Sequence, residues 1–254
     1  MRHVLSPAGE LQLAATMRAR PLLAFDFDGT LAPIVARPDQ ARMAPGVAAR
    51  LRKLAGQRPV AIVTGREVAD VRTRLGFEPA YIVGSHGAET EASTDESPWH
   101  APLEDARAWL RAFQPELQLL GVQVEDKRHS LALHYRLAPD QARAEQRLEE
   151  ILRQAGPELH VFGGKRVFNI VASTAPNKAD AVHRLAELAQ CDTAIFVGDD
   201  INDEPVFERA PPNWLTIKVG RTDPPSAARF YLDSPSEMAM LLDRMIALLD
   251  ARMG

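Results

Sequence analysis

The chain has 254 residues, 46% apolar and 25% charged, with a formal net charge of −4 at pH 7. Those proportions fit a soluble globular protein built as one large domain or a domain carrying an insert, and the acidic balance argues against a nucleic-acid binder. No apolar run approaches membrane-spanning length, and the single cysteine, Cys191, excludes an internal disulfide framework. Arg2, Arg18 and Arg20 flank no continuous apolar core, so no signal peptide is expected. A lone cysteine suits a reducing compartment, and the expected setting is the cytoplasm.

Residues 1–20 read as a helical lead-in with Leu11, Leu13 and Met17 as its apolar positions. The apolar run 22–25 then has strand length and ends in Asp26-Phe27-Asp28-Gly29-Thr30. Alternate strand residues share a face, so Asp26 and Asp28 are expected to start out pointing the same way. Residues 33–45 are rich in proline and arginine and read as a loop. Pro45-Gly46 opens a helix with Val47, Leu51 and Leu54 on its apolar face. Residues 60–63 form a continuous apolar run, as in a parallel strand buried on both faces, and end at Thr64-Gly65-Arg66. A helix with Val68, Val71 and Leu75 follows, then a strand at 81–83 ending in Gly84-Ser85-His86-Gly87. This rhythm predicts an α/β domain with a parallel sheet.

The rhythm changes after Glu89, where residues 89–102 read as a polar linker or hairpin. A helix with Leu103, Ala106, Leu110 and Phe113 on one face precedes a strand at 122–124. Residues 130–136 alternate, with Leu131, Leu133 and Tyr135 on one face and Ser130, Ala132, His134 and Arg136 on the other. Such alternation belongs to an antiparallel sheet with one open face. A charged helix over 139–154 and a closing hairpin from 161 to 171 complete an α+β module. The expected organisation is a core from 1–98 and 175–254 with residues 99–174 inserted. After the insert come a helix over 177–190 using Ala181, Leu185 and Leu188, a strand at 194–197 ending in Gly198-Asp199-Asp200, and a strand at 215–219. A final helix uses Met238, Leu241, Leu242, Met245 and Leu248.

Ligands of open parallel sheets sit at the carboxyl ends of the strands. Those ends carry Asp26, Asp28, Thr64, His86, Asp199 and Asp200, with Asp203 a short turn later. Two unit charges about 4 Å apart repel by roughly 4 kcal/mol at an effective dielectric near 20, so such a cluster needs a cation. Carboxylate oxygens are hard donors and suit Mg²⁺. Taken singly, Asp28-Gly29 is an ordinary turn, and Asp199-Asp200 a solvated turn capped by Asn202 or Asp203; it is their joint occurrence at strand ends that points to chemistry. Thr64 and the backbone N–H groups after it could hold an anion at a helix start. Lys178 opens a helix against the preference of the helix dipole, as a lysine answering an anion would.

In this order, the Asp26-to-Thr30 motif, Thr64, Lys178 and Gly198-Asp199-Asp200 with Asp203-Glu204 resemble the four motifs of the haloacid-dehalogenase-like (HAD) phosphohydrolases. Further stretches resemble the trehalose-6-phosphate phosphatase family: Arg37-Pro38-Asp39-Gln40, Gly84 to Glu89, Lys127 with Ser130 to Arg136, and Gly164-Lys165. The resemblance covers nearly the whole chain and implies a Rossmann-like parallel-sheet core with an inserted α+β cap. It implies Asp26 as nucleophile, Asp28 as acid and base, and Thr64 and Lys178 as holders of the phosphoryl oxygens. It further implies Mg²⁺ on Asp26, the Asp28 carbonyl and Asp199, with Asp200 or Asp203 acting through water. The sugar would be read by His86, Gly87, Glu89, Glu125, Lys127, Ser130, His134, Arg136 and Asn169. The chain departs from the family pattern at Asn169, where a glutamate is usual, and at Ala179, where glycine is usual. The expectation is a Mg²⁺-dependent trehalose-6-phosphate phosphatase acting as a monomer on a small-molecule sugar phosphate, without nucleic-acid or membrane partners. The alternatives are the same chemistry on sucrose phosphate or mannosyl phosphoglycerate, and a receiver-like phosphoacceptor switch.

Overall fold

The computed structural model describes residues 1–35, 38–91, 99–221 and 225–251. The chain divides into two units, Met1–Glu91 with Pro176–Gly254, and Ala92–Ala175. Arg37 and residues 92–98 of the expected linker lie outside the described residues.

The first unit holds an eight-stranded sheet. Its strands are β1 (Arg2–His3), β2 (Leu22–Phe25), β3 (Val60–Val63), β4 (Tyr81–Gly84) and β5 (Glu89–Thr90), and after the second unit β10 (Ala194–Gly198), β11 (Leu215–Val219) and β12 (Phe230–Leu232). Their order is β1-β12-β11-β10-β2-β3-β4-β5, parallel throughout except for the β4–β5 pair. Helices α1 (Pro7–Arg18), α2 (Pro45–Ala55), α3 (Val68–Leu75), α7 (Lys178–Leu188), α8 (Glu204–Arg209) and α9 (Met238–Asp250) cover it. Strand alternation divides the core into two layers. Leu23, Phe25, Val60, Ile62, Ile195 and Val197 pack with α1, α2, α3 and α9. Leu22, Ala24, Ala61, Val63, Ala194 and Phe196 pack with α7 and α8. Asp26 continues the parity of Leu22 and Ala24, which is the parity of the α7 layer.

Three readings of helix faces are corrected. Leu11 is 74% exposed although Leu13 and Met17 are buried, because the α1 stripe that meets the sheet passes through positions 9, 13, 16 and 17. Leu188, at the end of α7, is 60% exposed, and Phe113 lies beyond the helix ending at Arg111 and heads the next one. The strands β1, β12 and β5 are two or three residues long, too short to show a period.

The second unit holds an antiparallel sheet in the order β6-β7-β9-β8, from β6 (Gln123–Lys127), β7 (Ser130–His134), β8 (Leu159–Gly164) and β9 (Val167–Ala172). Helices α4 (His100–Arg111), α5 (Gln114–Leu119) and α6 (Gln141–Leu152) accompany it. One sheet face, with Leu131, Leu133 and Ile170, joins Ala106, Leu110, Leu117, Leu148 and Ile151 in a separate core. The opposite face is not uniformly open as its polar alternation suggested. Ser130, Ala132 and Asn169 on the inner strands β7 and β9 are buried, while the edge strand β6 is exposed.

Candidate active site

Asp26 follows the last residue of β2, and its backbone N–H donates to the Val197 carbonyl of β10, 2.9 Å away. Its buried carboxylate receives the Lys178 ammonium at 2.7 Å. Lys178 is itself buried at the first position of α7 and also reaches Asp203 Oδ1 at 2.7 Å. The second oxygen of Asp203 accepts from the backbone N–H groups of Asp199 (2.8 Å) and Asp200 (3.0 Å), which fixes the loop after β10. Asp199 Oδ1 accepts from the Thr30 hydroxyl at 3.3 Å. The close approach of Asp199 to the turn after Asp28 requires glycine at position 29, which has φ +83° and where a Cβ would fall 2.0 Å from Asp199 Oδ2.

Oxygens of Asp26, Asp199 and Asp203 lie within 4.8 Å of one another. Burial pushes the Asp26 carboxyl well above its ordinary range; Lys178 pulls it down, and Asp203 and Asp199 push it further up. Burial works against the charge on Lys178 as well, but Asp203 and Asp26 outweigh it and hold the ammonium charged. With all three carboxyls ionised, against one ammonium, the cluster carries an excess of two negative charges, which is why burial and its neighbours push Asp26 toward its protonated form when no cation is bound. All-oxygen donors with that excess fit a hard divalent cation such as Mg²⁺.

Asp28 does not stay beside Asp26. β2 has ended, and Asp28 lies in a turn where Gly29 N–H donates to the Ala32 carbonyl at 2.7 Å. Its carboxylate accepts a fork from Arg66, with Nε to Oδ2 at 2.6 Å and Nη2 to Oδ1 at 2.7 Å. Arg66 stands just beyond β3, and its backbone N–H donates to the buried Thr64 hydroxyl at 3.2 Å. Reading the sequence gave Arg66 no role, although a cation two residues past Thr64 had to share the strand end with the carboxylates. Lys218 was missed too. It lies in β11, donates to Glu204 Oε1 (3.2 Å) and the Asp200 carbonyl (3.3 Å), and so braces the same loop as Asp203.

The loop after β4 packs against Thr64-Gly65-Arg66. Ser85 N–H donates to the Arg66 carbonyl (2.8 Å) and His86 N–H to that of Thr64 (2.9 Å). Ser85 and His86 both take positive φ, +49° and +61°, a strain of the kind that concentrates at functional sites. The His86 ring rests on Gly65, where a Cβ would meet its Cε1 at 2.4 Å, and its Nδ1 lies 3.4 Å from Asn202 Nδ2. Gly87 adjoins the Asn177 that caps α7. Glu89 accepts from the Val68 N–H (3.1 Å) and the Ser85 hydroxyl (2.9 Å), so it fastens the start of α3.

In the second unit, register brings five of the expected sugar contacts onto one sheet face. Glu125 pairs with Ala132, Ala132 with Asn169, and Lys127 with Ser130, so alternation adds His134 to the same side. Glu125 accepts from or pairs with His134 (2.8 Å) and Lys127 (3.4 Å), and the hydrogen bond to His134, with Lys127 beside it, holds its carboxyl down to about 2. Arg136 lies past the end of β7 and donates to the Lys165 carbonyl at 2.8 Å. Ser130 Oγ is buried without a hydrogen-bond partner among the described residues, and Asn169 is only 5% exposed.

The family profile described as trehalose-phosphatase matches residues 24–236. The chain is 36% identical over 251 residues to a trehalose-phosphate phosphatase of Mycobacterium tuberculosis, covering 92% of this chain and 64% of that one. It is 36% identical over 243 residues to that of Mycobacterium marinum, covering 89% and 61%. The chain thus spans a little over three fifths of the length of these curated relatives. Among solved structures, the C-terminal domain of C. albicans trehalose-6-phosphate phosphatase superposes with a TM-score of 0.77 at 21% identity, over 94% of this chain and 95% of that one. A trehalose-6-phosphate phosphatase related protein gives 0.70 at 24% identity, over 90% and 99%. These structural likenesses show the fold: a mostly parallel α/β sheet with a separate antiparallel sheet. With a family match that runs from β2 almost to α9, the chain belongs to the trehalose-phosphatase family.

Proposed function

We propose that the chain hydrolyses trehalose 6-phosphate to trehalose and phosphate through an aspartyl phosphate on Asp26. The observation that carries this reading is the buried Asp26–Lys178–Asp203 network, with Asp199 beside it and Asp28 two residues on. The Asp26 carboxylate attacks phosphorus while the bond to the sugar oxygen breaks, and Asp28 gives that oxygen its proton. Asp28 then takes a proton from water as the water attacks the aspartyl phosphate, which releases phosphate and restores Asp26. Lys178 and Thr64 hold the phosphoryl oxygens, and Lys178 works against the burial that favours the protonated form of Asp26. Asp26, the Asp28 carbonyl and Asp199 would hold Mg²⁺, which would supply neutralisation of the phosphoryl charge. Asp203 has both oxygens engaged and supports the ligands from behind, with Asp200.

Residues 99–174 are the proposed cap, reading the sugar through Glu125, Lys127, Ser130, His134, Arg136 and Asn169, with His86, Gly87 and Glu89 contributing from the core. The proposed setting is the cytoplasm, with the chain acting as a monomer and without nucleic acid or membrane as partner. Among the described residues no helix is long and apolar enough to cross a membrane.

The test is phosphate release with Mg²⁺ from trehalose 6-phosphate, sucrose phosphate and mannosyl phosphoglycerate. Trehalose 6-phosphate is expected to give the highest kcat/KM. Preference for another sugar overturns the substrate, and release that stops at one equivalent per chain replaces turnover with a phosphoacceptor switch.

A further inference from the structure

Asp28 is the proposed acid and base, yet nothing in its own turn fixes its carboxylate. That task falls to a line of alternating charges that leads away from the site. Arg66 grips both Asp28 oxygens side-on and turns its remaining nitrogen, Nη1, to Asp70 Oδ2 at 2.7 Å. Asp70 in turn receives Arg74 one helical turn on, with Nε 3.0 Å from both of its oxygens. Arg74 Nη1 ends the line on the carbonyls of Asp39 (2.8 Å) and Ala41 (3.2 Å). Asp70 and Arg74 sit at i and i+4 on α3, the helix whose start Glu89 fastens. The Arg66 guanidinium lies 5.5 Å from the Phe27 ring centroid, and its side chain is 10% exposed against 38% for Asp28.

We propose that Arg66 is a positioning residue for the reaction, setting the plane and place of the Asp28 carboxylate, and that Asp70, steadied by Arg74, sets Arg66. This rests on the reading of Asp28 as acid and base. The fork has a geometric consequence that a point charge lacks. Two parallel N–H bonds fix the carboxylate plane, which one lysine ammonium cannot do. A carboxylate displaced by about 1 Å from the attacking water forfeits on the order of 100-fold in rate. Its loss falls on the chemical step and not on sugar binding, because no group of the line belongs to the proposed sugar contacts.

The experiment measures kcat and KM for trehalose 6-phosphate and for a small aryl phosphate in Arg66→Ala, Arg66→Lys, Asp70→Asn and Asp28→Ala proteins, each checked for fold by circular dichroism. Arg66→Ala and Arg66→Lys are expected to lower kcat on the order of 10- to 100-fold on the sugar phosphate, with KM within about threefold. Asp70→Asn should lower kcat less, and Arg66→Ala/Asp70→Asn no more than Arg66→Ala alone, since Asp70 acts through Arg66. Arg66→Ala in the Asp28→Ala background should cost nothing further, and added guanidinium should restore part of the kcat of Arg66→Ala. A folded Arg66→Ala or Arg66→Lys protein with unchanged kcat overturns the inference, as do additive losses with Asp28→Ala. Asp26→Asn separates the two levels. If it abolishes turnover while the Arg66 variants stay active, only the inference fails; if it and Asp28→Ala both keep full activity, the catalytic reading fails first.

Discussion

Lys178 shows how a single side chain can be held against local preference. At the first position of α7 the helix dipole disfavours a cation, and full burial removes its hydration. Both costs are offset by Asp26 and Asp203, each 2.7 Å away. Replacing it by methionine keeps the volume and leaves two buried carboxylates uncompensated. Lys178→Met is therefore expected to destabilise the protein by on the order of 3–5 kcal/mol, read by urea unfolding at neutral pH in EDTA, and to abolish phosphate release. A change below about 1 kcal/mol would mean that the acidic cluster relaxes without its ammonium.

At the scale of an element, β6 and β7 carry a pH response. Glu125 on β6 is held down to about 2, against an ordinary 4.5, by its hydrogen bond to His134 on β7, with Lys127 beside it. A depressed carboxyl contributes stability that is fully present above about pH 4.5 and is lost as the pH falls through about 2. Glu125 is 48% exposed, so solvent screening keeps this contribution to about 1 kcal/mol or less. The difference in unfolding free energy between wild type and Glu125→Gln should be largest above pH 4.5 and shrink toward pH 2. A difference that stays constant across that range would remove the pair as its source.

At the scale of the whole molecule, the carboxyl end of the parallel sheet gathers more negative charge than its residues neutralise. A cation bound there binds the folded state and not the unfolded one. Free Mg²⁺ at about 100 times its Kd would add roughly 2.7 kcal/mol of stability, a rise in Tm on the order of 5–10 °C for a chain of this size. Thermal melts in EDTA and in Mg²⁺ measure it. Asp199→Asn should abolish the shift, and an equal shift in that variant would place the cation elsewhere.

Local periodicity was enough to find β2, β3, β10 and β11, because strands buried on both faces read as unbroken apolar runs. The same runs located Asp26, Thr64 and Asp199 at strand ends, and alternation in 130–136 placed Ser130 and His134 on one face. What periodicity carries no record of is which distant side chains meet. The Asp28–Arg66 fork depends on β2 lying next to β3, and the Lys178 bridge on β2 lying next to β10 beneath α7. Likewise β9, not β8, pairs with β7, which sets Asn169 beside Ala132. The amino-acid sequence by itself determined the longer elements, the residue types at their ends and the family. The tertiary structure decided the partners, because strand order and register are set by global packing and a pattern of period 2 or 3.6 repeats only its neighbours.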